Sequence, residues 1–89
     1  MARIYLEITF CDGKPLAAYL QLPRKPGDKV ARSKKAEAGM VIDFAPDQRP
    51  IGIEITAPSA FSIEALNRVM ASLNLAPASP TDVAPLIAA

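Results

Sequence analysis

Residues 4–22 read Ile4-Tyr5-Leu6-Glu7-Ile8-Thr9-Phe10-Cys11-Asp12-Gly13-Lys14-Pro15-Leu16-Ala17-Ala18-Tyr19-Leu20-Gln21-Leu22. Ile4, Leu6, Ile8 and Phe10 alternate with Tyr5, Glu7 and Thr9, the period of a strand with one buried face. After the break at 11–15, Leu16, Ala18, Leu20 and Leu22 alternate with Ala17, Tyr19 and Gln21. Asp12-Gly13 signals a two-residue hairpin turn. That loop pairs Ile8 with Ala17, however, and throws the two apolar rows onto opposite faces. A loop of Cys11, Asp12 and Gly13 instead pairs Phe10 with Lys14, Ile8 with Leu16, Leu6 with Ala18 and Ile4 with Leu20. The rows then stay together, and Gly13 takes the left-handed position of a turn with a bulge. The sequence predicts this second register.

The same parity test organises residues 40–55. Met40, Ile42 and Phe44 share a face with Ile51, Ile53 and Ile55 when Phe44 meets Ile51 and Ile42 meets Ile53, with Pro46-Asp47-Gln48-Arg49 as the loop. Val41, Asp43, Gly52 and Glu54 fall on the other face. Between the hairpins, Val30–Lys35 reads as a polar strand whose lysines suit an exposed edge. Beyond Pro58 the period lengthens. Ile63, Leu66, Val69, Met70 and Leu73 recur at helical spacing, with Ser62 placed to cap and Pro77 to end the helix near Asn74. The expected fold is α+β: an antiparallel β-meander of about five strands, two hairpins plus a polar middle strand, with one C-terminal helix on the apolar face. Residues 1–74 form the domain, and the Pro/Ala-rich tail 75–89 reads as disordered, although Val83, Leu86 and Ile87 could still dock.

Composition narrows the chemistry. The chain has 89 residues, no histidine and one cysteine, with ten basic against nine acidic side chains. Without histidine, His-dependent acid–base and nucleophile systems are excluded, and zinc or copper sites lose their commonest ligand. A lone cysteine forms no intrachain disulfide. No apolar run approaches the ~20 residues of a membrane helix, and Glu7 interrupts what a signal peptide would need. A cytoplasmic protein with no cofactor is expected.

Val30-Ala-Arg-Ser-Lys-Lys35, Gly39-Met-Val-Ile-Asp-Phe44 and Pro50-Ile-Gly-Ile-Glu-Ile-Thr-Ala-Pro-Ser59, preceded by Ala17-Ala-Tyr-Leu-Gln-Leu22, carry a resemblance. Over roughly residues 10–60 the chain resembles domain-of-unknown-function family 2283, small prokaryotic proteins, most sharply at Gly52-Ile53-Glu54-Ile55 after Asp43-Phe44. Gln48 stands where that family usually has glycine. The resemblance implies a small β-meander with a C-terminal helix, and it transfers no activity.

Two constellations are candidate sites. Asp43 and Glu54, diagonal on neighbouring strands, could hold a divalent cation or share a proton, with Gly52 leaving space beside Glu54. One acidic residue per strand is equally ordinary on a solvated sheet face. The segment 24–35 gathers Arg24, Lys25, Lys29, Arg32, Lys34 and Lys35 against Asp28 alone, a charge of the kind that contacts phosphate. No aromatic residue or DNA-binding motif accompanies it, so an exposed loop and edge strand explain it as well. Cys11 sits at a turn without an activating partner other than Lys14. Tyr5 and Tyr19 share the polar face and are expected to pack across strands.

Sheet width supplies the last expectation. Five strands span ~19 Å at ~4.8 Å spacing, whereas a helix is ~10 Å wide. A second copy covering the rest of the apolar face is therefore expected. The expected function is a non-enzymatic, protein-binding interaction domain, antitoxin-like or regulatory. The competing expectation is a nucleic-acid-contacting regulator using residues 24–35.

Overall fold

In a computed structural model that describes residues 4–87, both alternations become paired strands. β1 (Tyr5–Cys11), β2 (Lys14–Gln21), β3 (Arg32–Lys35), β4 (Met40–Phe44) and β5 (Pro50–Ile55) form one antiparallel sheet in the order β1-β2-β5-β4-β3. With a helix on one face, the expected α+β class holds. β3, β4 and β5 make a local meander, and β5 joins it to the first hairpin by pairing with β2. The basic strand β3 is left at an outer edge, where lysine discourages further pairing.

Parity is satisfied in both hairpins, but by a different device from the expected one. Asp12 and Gly13 have φ of 51° and 75°, the left-handed pair that a two-residue primed turn requires. Cys11 faces Lys14 and Phe10 faces Pro15, then a bulge shifts the register so that Ile8 meets Ala18 and Leu6 meets Leu20. The extra residue lies inside β2, not in the loop. Leu16, expected in the core, is left without a partner and stands 60% exposed, with Phe10 beside the turn at 57%. In the second hairpin Ile42 meets Ile53 as expected, but Phe44 meets Pro50 across another bulge, which takes Ile51 out of the ladder. Ala45 N–H donates to the Arg49 carbonyl and Gln48 N–H to the Ala45 carbonyl, both at 2.9 Å. The turn therefore closes over Pro46, Asp47 and Gln48, with Gln48 at a left-handed φ of 75° where glycine is the usual occupant.

The apolar face is roofed by the chain itself. α1 (Ile63–Ser72) begins where Ser62 Oγ accepts from Ala65 N–H at 3.1 Å, and it buries Ala65, Leu66, Val69 and Met70. It ends in a Schellman closure: Asn74 is left-handed at φ 58°, Leu75 N–H bonds the Met70 carbonyl, and Asn74 N–H bonds the Ala71 carbonyl. The expectation of a disordered tail is then overturned. Asn67, projecting from α1, accepts from Ala78 N–H at 2.8 Å and donates to the Ala78 carbonyl at 3.3 Å. A 3₁₀ turn at Pro80–Val83 leads into α2 (Ala84–Ile87), with Ser79 N–H bound to the Asp82 carboxylate at 3.0 Å. Ala78, Val83 and Leu86 are buried at 3%, 0% and 4% exposure in the same core as Leu20, Ile53 and Leu66. Residues 88 and 89 of the tail, and 1–3 of the expected domain, lie outside the described residues.

Tail docking also removes the packing reason for a second copy on this face. The Pro80–Val83 turn reaches β1, covering the part of the sheet that α1 is too narrow to span. At the opposite side, the Arg32 guanidinium lies 4.1 Å from the centre of the Phe44 ring and closes the core there.

Because Leu86 belongs to the common core, Leu86→Ala is expected to lower unfolding free energy by about 2–5 kcal/mol. Chemical denaturation checks this. A change of only a few tenths would mean that the tail does not share the core.

Candidate functional site

Helix and tail occupy one side of the sheet, so the polar side is the surface on which recognition chemistry has room. Strand register sets its layout. One row across the sheet reads Glu7, Tyr19, Glu54, Val41, Lys35, and the next reads Tyr5, Gln21, Gly52, Asp43, Ser33.

Tyr19 leans diagonally from the first row into the second. Its hydroxyl donates to Asp43 Oδ2 at 3.0 Å and accepts from Arg24 Nη2 at 2.8 Å. Ser33 Oγ donates to Asp43 Oδ1 at 2.6 Å, so both carboxylate oxygens of this buried aspartate are held by protein donors. Arg24 Nε donates at 3.1 Å to the Ile51 carbonyl, which also accepts from Leu22 N–H. Gly52 makes this possible. A Cβ at that position would collide with the Tyr19 ring and hydroxyl. The space that the sequence appeared to leave beside Glu54 is filled by the phenol, and Asp43 is turned to Tyr19 and Ser33 instead of forming a two-carboxylate site with Glu54. Among the described residues, no three acidic or sulfur side chains converge as a metal-holding group. A glycine in mid-strand was the available sign of this close approach. Strand alternation alone reads it as empty space.

Burial, and then the hydrogen bond and negative charge of Asp43, push the Tyr19 hydroxyl up to about 12, against the opposing influence of Arg24. Tyr5, expected to stack with it, is 54% exposed.

The other side of Tyr19 borders a hollow of about 540 Å³ with Ala17 at its floor and Glu7, Thr9, Glu54 and Thr56 around it. Glu7 and Glu54 flank Tyr19 in register on either side. Neither takes part in the ion pairs found among the described residues, which join Arg49 to Asp28 and Asp47, and Arg68 to Glu37. Two carboxylates outside those ion pairs, beside an aromatic ring, suit a cationic group.

The basic segment is not assembled into one surface. Arg24 is spent on Tyr19 and Ile51, and Arg32 lies on Phe44 with its Nε on Gln48. Lys34 and Lys35, opposite Ile42 and Val41, fall on opposite faces of the sheet. Lys25 and Lys29 are exposed in the loop before β3. Asp28 accepts from Lys25 N–H and from Arg49 at 2.6 Å, which pins that loop to the second hairpin and holds its carboxyl below the usual range. Cys11 is exposed, with its thiol toward the Asp12 carboxylate.

Two consequences are measurable. Gly52→Ala should displace Tyr19 and cost about 1–3 kcal/mol. Since folding raises the Tyr19 value, its contribution to stability is complete below the ordinary tyrosine value near 10 and is lost as pH rises through about 12. Denaturation at stepped alkaline pH should show this loss in the native sequence and not in Tyr19→Phe; parallel profiles would contradict it. Comparisons with protein-family models, with curated proteins and with solved structures find no match to this chain.

Proposed function

We propose that the chain is a non-enzymatic interaction domain that binds another protein through the open face of its sheet. The observation supporting this reading is the hollow in which Glu7 and Glu54, without ion-pair partners among the described residues, flank Tyr19. A lysine or arginine of the partner would enter it, its charge between the two carboxylates and its methylene stem over Ala17. Tyr19, whose hydroxyl is held by Asp43 and Arg24, acts here as a rigid wall of the hollow and not as chemistry. A cytoplasmic antitoxin-like or regulatory role is the finer version of this proposal. It rests on small size and on the resemblance to family 2283, which we likewise retain as a proposal.

The alternative, nucleic-acid contact through residues 24–35, has less geometric support, because two of its arginines are engaged within the fold. One experiment separates the two. A partner captured from the source extract by the native chain should be lost with Glu7→Gln/Glu54→Gln and retained with Lys25→Gln/Lys29→Gln. The opposite pattern, with binding that weakens steeply between 50 and 200 mM salt and disappears on nuclease treatment, would favour phosphate contact and contradict the proposal.

A further inference from the structure

The two outer strands of the sheet are protected very differently. β3 carries Arg32, Lys34 and Lys35, the charges that keep an edge from recruiting another strand. β1 has neither lysine nor proline, and Glu7 is its one charge.

Main-chain direction follows from the ladder. Leu22 N–H donates to the Ile51 carbonyl, so Leu22, Leu20 and Ala18 turn their polar groups toward β5. Gln21, Tyr19 and Ala17 consequently turn theirs toward β1, where Tyr5, Glu7 and Thr9 meet them. Leu6 and Ile8, and Phe10 opposite a proline that has no N–H, are left with N–H and C=O groups pointing out of the sheet. Their side chains share the apolar face, and Leu6 and Ile8 are only partly covered there.

We infer that β1 pairs with β1 of a second copy, antiparallel about a two-fold axis through Ile8. Ile8 is the midpoint of Tyr5–Cys11, so this register engages the entire strand. Leu6 then exchanges main-chain bonds with Phe10 of the second copy, and Ile8 with its own equivalent. Glu7 stands directly opposite Thr9 of the second copy. A slip that centres the axis on Glu7 would set two like charges face to face, a penalty that selects against it. The product is a continuous ten-stranded sheet with both roofs on one side. The inference rests on main-chain geometry and not on what fills the acidic hollow. It does bring the two hollows together, because Glu7 and Thr9 line each of them.

Thr9 gives a test that leaves the core alone, since its side chain is exposed on the polar face. Sedimentation equilibrium into the high micromolar range should show a reversible dimer. Thr9→Lys, opposing Glu7 of the second copy twice over, should tighten it by about five-fold, and Thr9→Glu should weaken it by a similar factor. Amide exchange at Leu6, Ile8 and Phe10 should slow as protein concentration rises. A monomer throughout that range, a dimer indifferent to both substitutions, or one whose concentration-dependent protection falls elsewhere would each overturn the inference.

Discussion

A sheet that gathers most of its large apolar side chains on one side must have that side covered before it can stand in water, and the cover has to match the width of the sheet. Here the requirement falls on two short pieces of chain. α1 supplies Ala65, Leu66, Val69 and Met70 to the core, and the segment from Ala78 to Leu86 adds Ala78, Val83 and Leu86. Asn67 joins the pieces by offering its amide to both main-chain groups of Ala78. An asparagine is a poor helix residue. At this position it satisfies a tail that makes no ladder of its own, and the tail in turn gives Val83 and Leu86 to the core.

One-sided closure is also what leaves the polar face free. Its side chains are organised by each other and by Arg24, which reaches in from the loop after β2. Gly52 surrenders its side chain to let Tyr19 reach Asp43, and the Ile51 carbonyl accepts from Arg24 as well as from Leu22. These contacts stiffen the side chains beside the acidic hollow.

The legible part of this architecture was the parity of its apolar rows. Alternation at 4–10 and 40–44 and helical spacing at 63–73 each correspond to an element, because burial on one face writes its period directly into the chain. Register was less legible. An extra residue in the loop or in the strand preserves parity equally well, and the choice falls to the left-handed Asp12-Gly13 pair, which closes the shorter turn and passes the bulge to Leu16. The tail was misread for a different reason. Its three buried residues, Ala78, Val83 and Leu86, follow no period, and its prolines resemble those of an unfolded segment although Pro80 initiates its 3₁₀ turn. At the site, Glu54 and Asp43 were correctly placed on one face, but a diagonal contact such as Tyr19 with Asp43 depends on side-chain reach that alternation does not encode.

Native-state hydrogen exchange at the Ala78 amide addresses the central claim that the tail completes the core. Its N–H is held by a side chain and by no secondary-structure ladder, so its protection reports tail docking alone. The account predicts that it exchanges with the same opening free energy as the amides of β5, through unfolding of the whole domain. Exchange at the rate of an unstructured peptide, with β5 still protected, would contradict it.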